Sequence, residues 1–232
     1  ATLLDFDFLQ TPHDAPGTAA EAAAAQTVIR SRAADPTIPV INGEASYEML
    51  LDRIPSAKPR AMFWLCMTSG AAGHTYGANG IWQCNRKDQP HGPSPTANSP
   101  PTGYGTIAWD EAMNLAGSQQ IGAAKAWLEK QPWWEFHPHY TWAVWADGQT
   151  EVAPCAIGQT NGRRVLYMLE AKAIVLRQLE PGRTYRLVHF NPVAGCETDG
   201  GTFVADMAGQ YQLPAPNHGH DWVVLVTPAL TP

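Results

Sequence analysis

The fold is decided by the stretch Ile38-Pro-Val-Ile-Asn-Gly-Glu44-Ala-Ser-Tyr-Glu48. Its apolar beginning, residues 38–41, predicts a short buried strand. The strand stops at Asn42-Gly43 and therefore delivers Glu44 to its carboxyl end. A second polar and aromatic cluster, residues 71–82, begins about thirty residues later, which is the spacing of one strand–helix–strand step. Both clusters are thus predicted on one rim of a parallel sheet or barrel, the rim at which the active sites of (β/α)8 barrels lie.

The composition fits a globular chain with one large domain or two smaller ones in its 232 residues. Hydrophobic residues make up 44%, enough for a normal core, while 20 glycines and 20 prolines require many turns. The 15 basic and 21 acidic residues give a net charge of −6 without a basic run, so nucleic-acid binding has no electrostatic support. No run of 18 apolar residues occurs, and no transmembrane helix is expected.

The first part of the chain alternates strands and helices. Strands are predicted at 2–9, 38–42 and 73–76, helices at 17–32, 56–70 and 109–130, and a long loop at 83–105. Beyond residue 131 the pattern changes to short β-rich runs separated by turns. These runs lie at 140–145, 164–170, 173–176, 184–190, 201–206 and 222–227. The predicted fold is therefore α/β over residues 1–130, followed by an antiparallel β-sandwich over residues 131–232.

The α/β part is too short for a closed barrel. Only about three strand–helix units fit before residue 131, whereas a (β/α)8 barrel needs eight. The chain also starts inside a predicted strand, without a signal peptide or leader. We therefore expect the carboxyl-terminal units of a barrel whose five earlier units belong to a missing segment or a partner fragment.

A family resemblance rests on several motifs of these two parts. They are Asn42-Gly-Glu44, Tyr47-Glu48, Gly70-Ala-Ala-Gly-His74-Thr-Tyr76-Gly77, Trp82, residues 109–118, Pro132-Trp-Trp134 and residues 185–192. With them the chain resembles the apiosidase-like glycoside hydrolases, retaining barrel enzymes that act on plant cell-wall glycans. The resemblance implies a glycan substrate, no cofactor, and a secreted or periplasmic location. It also implies an appended β-sandwich of the type often labelled a collagen-binding domain.

Glu44 is the candidate catalytic residue. A retaining mechanism needs a carboxylate nucleophile about 5–5.5 Å from a second carboxyl group that acts as acid and then as base. The resemblance places the nucleophile at Glu44 and the acid/base on the segment that has no counterpart in this chain. The alternative for Glu44 is a buried ion pair with an arginine such as Arg60.

Eight further residues are candidates for substrate binding because they lie at predicted strand ends or in the glycine-rich turn. They are Asp7, Gln10, His13, Tyr47, His74, Tyr76, Asn79 and Trp82. Asp7 shares one face of its strand with Asp5, and that face either lines the barrel or is solvated. Tyr76 is expected to donate a hydrogen bond to Glu44. Glu48 is expected to position His74 or a substrate hydroxyl.

Two further patterns leave alternatives open. His137, His139, His218 and His220 form two His-x-His pairs, which without a third ligand are better explained as turn histidines than as zinc ligands. Cys66 is expected to be a free core thiol, and a disulfide among Cys84, Cys155 and Cys196 stays open. The rival function is a carbohydrate- or matrix-binding module whose sandwich is the working part. A row of exposed tryptophans, Trp133, Trp134 and Trp142, would favour it.

Overall fold

The computed structural model describes residues 4–13, 19–89, 104–149 and 152–229. A parallel sheet contains β1 (Asp7–Gln10), β2 (Val40–Glu44) and β3 (Gly73–His74), in that order. All three predicted strands are present, although β1 begins later and β3 is shorter than predicted. A bulge after Leu9 brings Gln10 opposite Glu44, so the two polar strand ends lie side by side.

The parallel sheet is accompanied by four α-helices in the part of the chain that the structure describes. They are α1 (Ala19–Arg32), α2 (Ala57–Thr68), α3 (Trp109–Ala112) and α4 (Ala116–Leu128). The single helix predicted over 109–130 is therefore wrong, because the chain is extended at Leu115 before α4 begins. Asn114 accounts for part of this break, since its side chain donates to the Asp110 carbonyl and competes with the helical bonds. Among the described helices, none is long and apolar enough to cross a membrane.

In the described residues after α4, nine strands form two antiparallel sheets. They are β4 (His137–Pro138), β5 (Ala143–Trp145), β6 (Cys155–Gly158), β7 (Arg164–Met168), β8 (Ile174–Leu176), β9 (Thr184–Asn191), β10 (Cys196–Val204), β11 (Tyr211–Leu213) and β12 (Trp222–Pro228). The larger sheet has the order β10-β9-β12-β7-β6-β4 and the smaller one β11-β8-β5. Residues of both sheets share one hydrophobic core, in which Trp142, Leu166 and Trp222 are fully buried.

A second core lies between α2, α4 and the larger antiparallel sheet. The rings of Trp64 and Tyr167 stack at 6.1 Å, and those of Trp127 and Phe190 at 4.9 Å. These four aromatic side chains are buried, which gives the contact a large apolar area. The antiparallel sheets are thus held firmly against the helices of the α/β part.

The same contact also contains a buried ion pair. Arg60 of α2 donates to Asp221 at 2.6 Å, and both side chains are 5% exposed. Tyr167 of β7 also donates to Asp221, at 3.1 Å, and Arg60 donates to Gln120 of α4 at 2.6 Å. This hydrogen-bonding satisfies the charges that burial would otherwise leave unpaired.

One face of the parallel sheet is apolar and open. Leu4, Phe6 and Phe8 are 63%, 48% and 59% exposed. The ring of Phe8 lies over Gly43, where an added Cβ would fall 1.8 Å from the ring. Within the described residues, β1 and β3 each pair only with β2, so both outer edges of this sheet are free.

Candidate active site

Glu44 lies at the carboxyl end of β2 beside the segment that follows β1. Its backbone carbonyl accepts a 2.9 Å hydrogen bond from the amide of Thr11, which fixes the two strand ends together. Its side chain is 37% exposed, and Oε1 lies 3.2 Å from Nε2 of His13. The alternative partner, Arg60, is committed to Asp221 instead. Glu44 is therefore presented to solvent next to a histidine and not buried against an arginine.

A cavity of about 310 Å³ opens at Glu44. Its described lining comprises His13, Glu44, Tyr47, Leu50, Trp82 and Tyr104, of which only Glu44 carries a carboxylate. The rings are close to one another: Tyr47 lies 5.2 Å from His13 and 6.5 Å from Trp82, and Trp82 meets Tyr104 edge to face at 5.2 Å. Trp82 remains 46% exposed. Aromatic faces around one carboxylate suit the apolar faces of a sugar ring.

Tyr47 is the direct neighbour of Glu44 in this cavity. Burial raises the pKa of Tyr47, and the charge of Glu44 and a side-chain hydrogen bond with Glu44 raise it further. Tyr47 therefore stays protonated at neutral pH and donates to the carboxylate. Gly77 allows this arrangement, because a Cβ there would fall 2.1 Å from the Tyr47 ring.

The expected hydrogen bond from Tyr76 to Glu44 is wrong. The Tyr76 hydroxyl donates to Oε2 of Glu48 at 2.6 Å, and the amide of Gly117 donates to the same oxygen at 2.9 Å. Glu48 is 3% exposed and lies at the amino end of α4, where the helix dipole favours a negative charge. Burial and the neighbouring Glu48 raise the pKa of Tyr76. Glu48 thus links the two polar clusters, residues 38–48 and 71–82, to α4. It does not contact His74.

Five predicted site residues lie outside the described cavity lining: Asp7, Gln10, His74, Tyr76 and Asn79. Asp7 lies on the helix-facing side of β1, where its carboxylate accepts a hydrogen bond from Ser31 of α1. Asp7 therefore faces α1 and not the cavity at Glu44. Asn79 is fully buried, and its Oδ1 accepts a 2.6 Å hydrogen bond from Gln83. Gln10 is exposed at the end of β1, opposite Glu44 but outside the cavity lining.

His74 lies on β3, the outer strand of the described parallel sheet, rather than with Glu44. Its ring meets Phe63 edge to face at 5.5 Å, and it borders a separate pocket of about 160 Å³. Both ring nitrogens are inaccessible to solvent and have no hydrogen-bond partner within the described part of the chain. Burial lowers the pKa of His74 to about 4, so the ring is neutral at pH 7.

Sequence reasoning missed two residues of the cavity lining, Leu50 and Tyr104. Leu50 belongs to a short 3-10 turn, Leu50–Asp52, which no periodic pattern announces. Tyr104 lies at the end of the loop predicted over 83–105, and a long loop rich in proline and glycine is itself a signal of function. An aromatic residue at the end of that loop was therefore the sequence signal that could have identified Tyr104.

The tryptophan row expected of a binding module is not formed. Trp142 is 1% exposed and stacks against His139 at 3.6 Å, while the guanidinium of Arg164 covers its ring at 3.9 Å. Trp134 is 68% exposed, and Trp133 is partly buried. In the second His-x-His pair the two rings stack on each other, with the centroids of His218 and His220 3.8 Å apart. No group of three or more metal-ligating side chains occurs among the described residues.

Two solved structures of glycoside hydrolases share this fold. One, described as a glycoside hydrolase, has a TM-score of 0.79 and 20% identity, and the alignment covers 99% of this chain and 54% of that one. A family 5 glycoside hydrolase from Bacteroides vulgatus ATCC 8482 has a TM-score of 0.78 and 20% identity, with coverages of 97% and 51%. The chain thus spans about half the length of these relatives.

No curated protein sequence matches the chain. The family model of the apiosidase-like catalytic domain matches residues 1–135, which include every residue of the cavity lining. This match covers more than half of the 232 residues. The chain therefore belongs to the apiosidase-like family of glycoside hydrolases.

Proposed function

We propose that this chain supplies half of the active site of a retaining glycosidase that acts on plant or microbial polysaccharide. Glu44 is the nucleophile, and the acid/base carboxyl group belongs to a polypeptide segment outside this chain. The single observation that carries the proposal is the cavity of about 310 Å³, in which one exposed carboxylate is surrounded by Tyr47, Trp82 and Tyr104. Family membership agrees with this chemistry.

In the proposed reaction an oxygen of Glu44 attacks the anomeric carbon while the glycosidic C–O bond breaks. The leaving-group oxygen takes a proton from the acid/base, and a covalent glycosyl-enzyme forms. Water then attacks the same carbon, gives its proton to the acid/base and releases the sugar from Glu44. The hydrogen bond from Tyr47 orients the carboxylate for the first attack.

The proposal of a second segment rests on two features. Within the described lining Glu44 is the only carboxylate, whereas the mechanism needs two. Among the described residues, the apolar face formed by Leu4, Phe6 and Phe8 is also open, and neither β1 nor β3 pairs with a further strand. We propose that residues 1–130 are the last units of a (β/α)8 barrel, that the missing units cover this face, and that residues 131–232 form a β-sandwich domain. We also propose a secreted or periplasmic location, where such polysaccharides occur.

The test uses the longest native polypeptide that contains this sequence and a panel of 4-nitrophenyl glycosides. Glu44→Gln should lower kcat by about a thousandfold or more, because the amide cannot form the glycosyl-enzyme. Glu180→Gln is the control, since Glu180 is an exposed carboxylate of the antiparallel part. Full activity of Glu44→Gln would overturn the nucleophile assignment.

Trapping with 2-deoxy-2-fluoro glycosides provides a direct readout. The mass label should appear on the peptide that contains Glu44, because the fluorine slows the release of the glycosyl-enzyme. A label on another carboxylate contradicts the assignment. Turnover by the 232-residue chain alone, at the rate of the longer polypeptide, contradicts the proposal of an acid/base from another segment.

A further inference from the structure

The turn that follows the first polar cluster, residues 38–48, has an unusual backbone. Met49, Leu51 and Asp52 have φ values of 59°, 56° and 58°, in the left-handed region that favours glycine. Three non-glycine residues in this region within four positions cost conformational free energy, and such a turn persists only when its surroundings hold it in place. Backbone strain of this kind concentrates at functional sites. Leu50, in the middle of this turn, lines the cavity at Glu44.

The segment that holds the turn also carries Tyr104. The amide of Leu51 donates to the carbonyl of Tyr104 at 2.7 Å. The carboxylate of Asp52 accepts hydrogen bonds from Thr106, which lies two residues after Tyr104. The Thr106 amide donates to the two carboxylate oxygens at 2.9 and 3.0 Å, and the Thr106 hydroxyl donates at 3.2 Å. The two sides of the cavity wall, Leu50 and Tyr104, are therefore fastened to each other by these bonds.

Gly105 makes this close contact feasible. Its φ is +130°, and an added Cβ would fall 2.6 Å from Oδ1 of Asp52 and 2.2 Å from Nδ2 of Asn79. No other residue type fits between the two side chains without moving one of them. The backbone approach at Gly105 directs the preceding Tyr104 into the cavity, where its ring meets Trp82 at 5.2 Å.

We propose that Asp52 is a positioning residue that fixes Tyr104 as the cavity wall opposite Glu44 and thereby sets the affinity for the sugar ring. This inference rests on the proposed glycosidase function. Tyr104 contacts Trp82, while the direct neighbours of Glu44 are His13 and Tyr47. Loss of the Asp52 contacts should therefore weaken substrate binding more than it slows the chemical step.

Two glycine substitutions separate the bonds of Asp52 from the strain of the turn. Asp52→Gly relieves the backbone strain of one left-handed residue and also removes the carboxylate. Met49→Gly relieves the same kind of strain at another residue of the turn and leaves the Asp52 carboxylate in place. With the best 4-nitrophenyl glycoside, Asp52→Gly should raise KM about tenfold with kcat changed less than about twofold. Met49→Gly should leave KM and kcat within about twofold of the wild-type values. Asp52→Asn, which tolerates left-handed φ and keeps one acceptor oxygen, should fall between them.

Hydrogen exchange of the unliganded protein tests the same bonds without a substrate. Asp52→Gly should speed exchange of the amides of Leu51 and Thr106, and Met49→Gly should leave the Thr106 amide protected. Equal KM values and equal Thr106 protection in the two variants would overturn the inference. If no glycoside is hydrolysed by the wild-type polypeptide, the glycosidase proposal fails, and the exchange measurement still decides whether Asp52 fixes the Tyr104 segment.

Discussion

The Tyr76 hydroxyl donates a 2.6 Å hydrogen bond to the buried carboxylate of Glu48 and not to the exposed carboxylate of Glu44. The two polar clusters of the sequence therefore meet through Glu48. Its backbone adds two further bonds, from its own amide to the Gly77 carbonyl and from the Asn79 amide to its carbonyl. Since Tyr47 precedes Glu48 directly, these bonds also fix the tyrosine that contacts Glu44.

Tyr76→Phe should reduce both stability and activity. The variant loses a hydrogen bond to a buried charge, which should lower the free energy of unfolding by about 1–2 kcal/mol in urea titration. It should also lower kcat/KM, because Glu48 then holds Tyr47 less firmly. Tyr167→Phe is the matched control, since it removes a buried bond from tyrosine to Asp221 far from the cavity lining. A comparable loss of kcat/KM in both variants would show that Tyr76 acts through stability alone.

Two glycines of α4 should respond oppositely to alanine. At Gly117 an added Cβ would fall 2.2 Å from Oε2 of Glu48, so Gly117→Ala should displace this carboxylate and destabilise the protein by about 1–3 kcal/mol. At Gly122 nothing lies within 4 Å of the added atom. Gly122→Ala should therefore raise the free energy of unfolding by about 0.5–1 kcal/mol, because alanine has the higher helix propensity. Thermal unfolding of both variants measures the difference, and a stabilising Gly117→Ala would contradict the described contact.

The buried ion pair should show strong coupling. Asp221→Leu leaves the Arg60 guanidinium buried without its partner and should cost about 3–5 kcal/mol. Arg60→Met/Asp221→Leu should be destabilised by clearly less than the sum of the two single variants. Urea unfolding of the four proteins of this cycle gives the coupling free energy. Additive effects would mean that the two side chains do not interact in solution.

His74 should make stability fall as the solution becomes acidic. Its pKa is about 4 in the folded chain against an ordinary value of 6.5, so the unfolded chain binds more protons between these two values. The stabilisation of the neutral ring is complete above pH 6.5 and is lost as the pH falls towards 4. Between pH 7 and pH 5 the loss should be about 1–2 kcal/mol. His74→Leu should show a smaller difference between the two pH values in urea titration, and an unchanged difference would assign the acid sensitivity elsewhere.

Thiol labelling should rank the cysteines by their exposure. All four are free, Cys84 and Cys196 are exposed, and Cys66 is buried. Burial raises the pKa of Cys66 to about 12 and that of Cys155 to about 11, so neither is a reactive thiolate at pH 8. Ellman's reagent should label Cys84 and Cys196 rapidly, the half-buried Cys155 more slowly, and Cys66 only after unfolding. Four rapid reactions would contradict this burial.

The sequence predicted the parallel strands and the position of Glu44 because apolar periodicity and an Asn-Gly stop are local signals. It also indicated many of the antiparallel strands after residue 131. The sequence did not predict β4, β6 and β11, because each has only two to four residues and no clear alternation of apolar and polar residues. Their existence depends on neighbours far away in the chain, which a local pattern does not contain.

Side-chain partners were harder to predict than strand positions. His13 and Trp82 were expected near Glu44 and line its cavity, whereas Tyr76 lies in the correct turn but contacts the other glutamate. The direction of Asp7 depends on the strand register, because a shift of one residue reverses the face. Arg60 had no sequence signal for Asp221, since 161 residues separate the two. Contacts of this kind follow from packing and not from local propensity.

The contact between Arg60 and Asp221 also bears on how such proteins diverge. A gene rearrangement that joined the antiparallel part to another catalytic part would leave a buried aspartate facing a side chain that evolved without it. The transplanted part would need a compensating cation, or a second substitution, before it folded well. The two portions are therefore expected to be inherited together rather than shuffled as independent modules.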